Sequence, residues 1–159
     1  AKSTGLTTSL DTGWDARGRW IQDIGPGLGS IDLLFVNDKE ATMLTGEEGV
    51  DEAVEKLRSL GAGDIVVKIG ERGCLLFVDG VRSDVPGYAV DVVDTTGAGD
   101  CFAGGFLAAL HRGRNYAAAA RFANAVGASN VQHLGAAQGV LSFKETEHWM
   151  ESRSTLDIS

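Results

Sequence analysis

The sequence has little of what marks a secreted, membrane-spanning or nucleic-acid-binding chain. Only two cysteines, Cys74 and Cys101, occur in 159 residues. They are too few for a disulfide framework and show no CxxC or Cys/His zinc spacing, so reduced thiols and a cytoplasmic location are expected. Basic residues are outnumbered, 14 against 22 acidic, for a net charge of −8. That balance argues against nucleic acid or an anionic membrane as the main partner, and a small anionic ligand would need a local site. No apolar stretch approaches the ~20 residues of a membrane span, and the opening AKSTGLTTS has no signal-peptide pattern. Proline occurs twice and glycine 22 times. Glycine in excess without proline suggests tight turns in a folded chain, not linkers or low-complexity tracts.

What is present reads as one α/β domain over residues 1–159, long enough for a core without disulfides or a structural metal. Leu6–Asp11, Ile31–Val36, Asp64–Ile69 and Gly73–Val78 read as strands, and Tyr88–Val93 as a fifth. Continuous apolar runs such as IDLLFV suit strands covered on both faces. Asp79-Gly80 predicts a hairpin, so a mostly parallel sheet with one antiparallel hairpin is expected. Asp51–Leu60 has helical spacing and stops at Gly61, and Lys39–Leu44 is a shorter helix. Gly25–Ser30 (GPGLGS) precedes a strand and reads as a bend. From Asp100 to Val126 two alanine-rich helices are expected, broken at Arg112-Gly113-Arg114 with Asn115 as N-cap, and Phe143–Glu151 closes the chain as a last helix.

The stretch Val93–Ala109 (VDTTGAGDCFAGGFLAA) carries the chemistry: a strand end, a turn of small residues, then a helix. The first amides of a helix have no intrahelical partners, and with the macrodipole they form an anion site. Gly97, Ala98 and Gly99 would line it. Asp100 at the helix start can cap the helix, or can act as general base for a hydroxyl entering in-line phosphoryl transfer. The stretch is neither a Walker A loop nor a dinucleotide fingerprint. Cys101 reads as a small buried residue, because no histidine stands beside it.

Asp94–Leu110 closely resembles the second signature of the ribokinase-like (PfkB) carbohydrate kinase family, in which Asp-Thr-x-Gly-Ala-Gly-Asp opens a buried helix. Asn37-Asp38-Lys39-Glu40 resembles its Asn-x-x-Glu motif, Lys68–Gly73 its strand-turn-strand nucleotide segment, and Gly135-Ala136 a late loop, all in the family's order. The resemblance implies a three-layer α/β/α fold and ATP-dependent phosphorylation of a sugar hydroxyl. Asp100 would be the base and the Gly97, Ala98 and Gly99 amides the anion hole. It also implies that Asn37 and Glu40 orient magnesium through water, and that Lys68, Gly70, Gly73 and Asn124 surround the nucleotide. Asp94, Thr96, Asn130, Gly135 and Gly139 would border a monovalent cation such as K+. Members are about twice this length, so the chain would be the C-terminal half, with the N-terminal half and lid absent. The segment Asp11-Thr12-Gly13-Trp14-Asp15 departs from the family's Asp-Pro-Asn followed by Arg, keeping the first Asp, with Arg17 and Trp20 nearby. A nucleoside kinase of the same family and a non-catalytic nucleotide-binding module both stay open as alternatives, as does a homodimer.

Overall fold

The structure, a computed structural model, describes residues 2–156. Five strands form one sheet in sequence order: β1 (Ser9–Asp11), β2 (Leu33–Asn37), β3 (Asp64–Lys68), β4 (Gly73–Val78) and β5 (Val81–Pro86). β1 pairs parallel with β2 and β2 with β3, with Leu10 opposite Leu34 and Leu34 opposite Ile65. Four residues join β3 to β4 and two join β4 to β5. Such connections are too short for a crossover, so β4 runs antiparallel to both neighbours and four of the five strands share one direction. The expected hairpin is present, with Asp79 and Gly80 both at positive φ, as a tight primed turn requires.

By compactness the chain divides into two units, residues 1–68 with 75–83 and residues 69–74 with 84–159. In the first unit, β1 leads to β2 through α1 (Ile21–Ile24) and a 3-10 helix over Gly25–Ser30. β2 leads to β3 through α2 (Asp38–Thr45) and α3 (Val50–Ser59). Leu33–Val36 and Ile65–Val67 are buried without interruption, as strands covered on both faces must be. Ala41 and Leu44 of α2 and Ala53, Val54 and Leu57 of α3 join this core. Asn37 starts α2 through a capping box, and Gly46, left-handed at φ 77°, ends it.

In the second unit, α4 (Ala98–His111) and α5 (Tyr116–Asn130) pack along their length, and α6 (Phe143–Glu151) lies against α5. Gly105 lets the helices meet, since a Cβ there would stand 2.9 Å from Val126 Cγ2. Phe102, Phe106 and Ala109 of α4 and Ala119, Ala123 and Val126 of α5 are all buried. Phe122 stacks on Phe143 with ring centroids 4.1 Å apart, and Asn115 caps α5 as expected.

Three expectations change. The fifth strand is Val81–Pro86, not Tyr88–Val93, where only Tyr88 makes a single bridge to Thr155. Val81–Asp84 are exposed, as on an edge strand, so their polar composition conceals them. Gly25–Ser30 is a 3-10 helix that buries Leu28, not a simple bend. The first strand begins at Ser9, not Leu6.

Candidate active site

The start of α4 is defined by unused donors. Gly97 is the N-cap, left-handed at φ 72°, and no side chain caps the helix. A Cβ on Gly97 would lie 2.2 Å from the Ala136 carbonyl oxygen, so both conformation and space demand glycine. The Ala98 N–H donates to the Thr95 carbonyl at 3.2 Å. Among the described residues the N–H groups of Gly97, Gly99 and Asp100 meet no acceptor. Of the three expected amides two are therefore available, the Ala98 amide is occupied, and the Asp100 amide is a further donor. The Asp100 carboxylate is exposed in the same turn. Unpaired first-turn amides and aligned peptide dipoles favour an anion here.

Against this turn stands a clamp of polar groups from two loops and the end of α5. Asp94 Oδ1 accepts the Thr96 N–H and Oδ2 the Gly135 N–H, both at 2.9 Å. The Thr96 amide first, then its hydroxyl and the Gly135 amide, hold the Asp94 carboxyl below the usual carboxylate range. Asn130, the last residue of α5, is fully buried. Its Nδ2 donates to the Ala136 carbonyl at 3.0 Å and to the Thr96 carbonyl at 3.4 Å, while its Oδ1 accepts the Gly139 N–H at 3.2 Å. A Cβ on Gly139 would stand 2.4 Å from the Ser129 carbonyl, so that loop lies directly on the helix end. The five residues expected around a monovalent cation thus gather beside Gly97, and their carboxylate and carbonyl oxygens are hard donors of the kind such an ion takes. Cys101 is half-buried and its Sγ–H donates to the Ala136 carbonyl at 3.3 Å. Burial, then the charge of Asp100, pushes its thiol up, away from nucleophilic character.

Of the residues expected around a nucleotide, Gly73 and Asn124 converge on Val85–Gly87. Asn124 is buried, and its Nδ2 donates to the Val85 and Pro86 carbonyls at 3.1 and 3.0 Å. A Cβ on Gly73 would meet the Val85 carbonyl oxygen at 2.2 Å. Gly70, at φ 66°, opens the turn between β3 and β4 and has open space at its Cα. Burial pushes the neighbouring Cys74 thiol up to about 12.

In the first unit, Asn37, Glu40 and Lys68 meet at the carboxyl ends of β1–β3, where open α/β sheets bind ligands. Asn37 Oδ1 accepts the Glu40 N–H at 2.7 Å, and Glu40 Oε2 accepts the Asn37 N–H at 3.0 Å. Thr12 Oγ1–H donates to the same Oε2 at 2.9 Å, holding a buried carboxylate in place. Thr12 was not among the expected residues; it directly follows Asp11, the one retained residue of the variant motif. Lys68 Nζ lies 2.6 Å from Asp11 Oδ1. Glu40 Oε1 takes no part in the capping box, which suits contact with a metal through water. Among the described residues no group of three or more His, Cys, Asp or Glu forms a metal cage, and no helix is long and apolar enough to cross a membrane.

A glycine-capped helix start with unpaired first-turn amides is a cradle suited to an anion such as a phosphate. The chain belongs to the pfkB family of carbohydrate kinases, whose profile matches residues 8–142. It is 40% identical over 118 residues to a ribokinase of Arabidopsis thaliana, covering 69% of this chain and 31% of that one. It is 32% identical over 135 residues to a nucleoside kinase of Methanothermobacter thermautotrophicus, covering 85% of this chain and 43% of the relative. The structure of Arabidopsis thaliana ribokinase complexed with ribose and ATP superposes with a TM-score of 0.80 at 32% identity, covering 94% of this chain and 49% of that chain. The fold is therefore the ribokinase-like α/β fold, and the chain spans half or less of the length of each of these relatives.

Proposed function

We infer that the chain is the C-terminal, nucleotide-binding half of an ATP-dependent kinase that phosphorylates a hydroxyl of a sugar. The observation that carries this reading is the first turn of α4. There three N–H groups without acceptors among the described residues stand beside the exposed Asp100 carboxylate. Phosphoryl transfer asks the protein mainly for positioning and charge stabilisation. The amides of Gly97, Gly99 and Asp100 hold the transferring group, and Asp100 takes the proton from the attacking hydroxyl. Gly70, Gly73 and the Asn124-braced Val85–Gly87 segment shape the nucleotide side, and Lys68, paired with Asp11, is a further candidate contact. Asn37 and Glu40 are the residues that would orient magnesium through its waters, and the ion when bound neutralises phosphate charge. Asp94 and the carbonyls around Asn130 would border K+.

A nucleoside acceptor is the second reading, favoured by the 32% identity to a nucleoside kinase. Turnover by the full-length protein with ATP, magnesium and a panel of sugars and nucleosides distinguishes the two. Asp100→Asn should lower kcat by about 100-fold or more while KM for ATP changes little, as loss of a general base does. A variant retaining the full rate overturns the assignment, and nucleotide binding without turnover on any acceptor identifies a binding module instead.

A further inference from the structure

The group that fixes the cradle's geometry lies outside it. The Ala136 carbonyl can lie against Gly97 only because Gly97 has no side chain, since that oxygen occupies the space a Cβ would take. The same oxygen accepts two hydrogen bonds, from Asn130 Nδ2 and from Cys101 Sγ, the latter one residue past Asp100. Asn130 also reaches the Thr96 carbonyl, directly before Gly97, and the Gly139 N–H at the far end of the Ala136 loop. One side chain thus ties together the 94–97 turn, the late loop and the helix α5. It is fully buried in a setting where nearly every polar atom must find a partner. Its neighbour Val131 accepts the Val93 and Asp94 N–H groups through its carbonyl, at 2.8 and 3.1 Å, so the helix end anchors the turn from both sides.

We propose that Asn130 is the positioning residue of the anion cradle, holding the 94–97 turn against the 135–139 loop so that the Gly97, Gly99 and Asp100 amides stay turned outward. It touches no reacting atom and acts through Thr96, Ala136 and Gly97. The proposal rests on the reading of α4 as the phosphoryl site.

The test compares Asn130→Ala, Asn130→Asp and the control Asp100→Asn in the full-length enzyme, below the melting temperature of each. Asn130→Ala should lower kcat about tenfold or more while KM for ATP stays within about threefold, because a misaligned cradle fails in the transition state. Asn130→Asp turns a carboxylate oxygen toward two carbonyls and removes the donor at unchanged side-chain size. It should therefore lower kcat about tenfold or more as well, with KM for ATP within about threefold. A purely structural residue would lower the melting temperature and leave both kinetic signatures unmoved. A folded Asn130→Ala with kcat within about twofold of wild type, alongside an inactive Asp100→Asn, overturns the positioning role and leaves the site assignment standing. Full activity in Asp100→Asn removes the site assignment and this proposal with it. If Asn130→Ala does not fold, Asn130→Asp decides, and a folded Asn130→Asp with kcat within about twofold of wild type overturns the role.

Discussion

Asp94 shows how a single half-buried carboxylate shapes its surroundings through backbone amides. Its two oxygens take the Thr96 and Gly135 amides, joining segments about forty residues apart in sequence. Because the folded state holds its pKa below the unfolded value, this carboxylate stabilises the fold above the unfolded pKa of about 3.9 and loses that effect as pH falls through the folded value. The wild-type melting temperature should therefore drop on acidification from about pH 5 toward pH 3, and Asp94→Asn should flatten part of that slope. Only part is expected, because backbone amides also hold Asp15 low and the Ser142 cap holds Glu145 low. An unchanged slope in melts across that range would contradict the clamp. Gly97 works at the same scale by a different means, since its contribution is the absence of a side chain. The sequence shows that a glycine is there. That the space is closed by Ala136, 39 positions later, only the fold can show.

Among elements, the helix that carries Glu40 is set by its first residue. Asn37 accepts the Glu40 N–H, and Glu40 returns a bond to the Asn37 N–H. Asn37→Ala should cost about 1 kcal/mol by loss of the cap, read as a lower midpoint in denaturant unfolding. It should also loosen the Glu40 carboxylate, whereas Asn37→Asp, which can still cap, should recover most of the stability. Equal losses in both variants would show that the cap is not the cause. Signals of this kind made much of the fold legible. The apolar runs of β2, β3 and β4, the Asp79-Gly80 turn, the Asn115 cap and the break at Arg112–Arg114 are all local, and each lies where the residues indicate. The fifth strand was not legible, because Val81–Asp84 are exposed on an edge and carry no apolar period. The burial of Asn124, a polar residue in an alanine-rich helix, is not legible locally, because its partners, Val85 and Pro86, come from nearly forty residues upstream. The order of motifs located the candidate site, but the occupied Ala98 amide depends on a turn geometry that composition does not encode.

For the molecule as a whole, a net charge of −8 disfavours phosphate everywhere except where the backbone supplies the field. That makes the first turn of α4 the decisive feature of the chain, and the departures from the family's pattern secondary. The chain spans half or less of the length of its relatives, which include a ribokinase and a nucleoside kinase. The amides of Gly97, Gly99 and Asp100 do not depend on which acceptor it is. The most direct measurement is a crystal structure of the full-length enzyme with ADP, magnesium, its acceptor and a planar aluminium fluoride in place of the transferring phosphoryl group. The fluoride should sit within about 3 Å of those three N–H groups, with an Asp100 carboxylate oxygen on the acceptor hydroxyl. A fluoride bound elsewhere, or those N–H groups turned to protein oxygens with Asp100 away from the hydroxyl, would contradict the account.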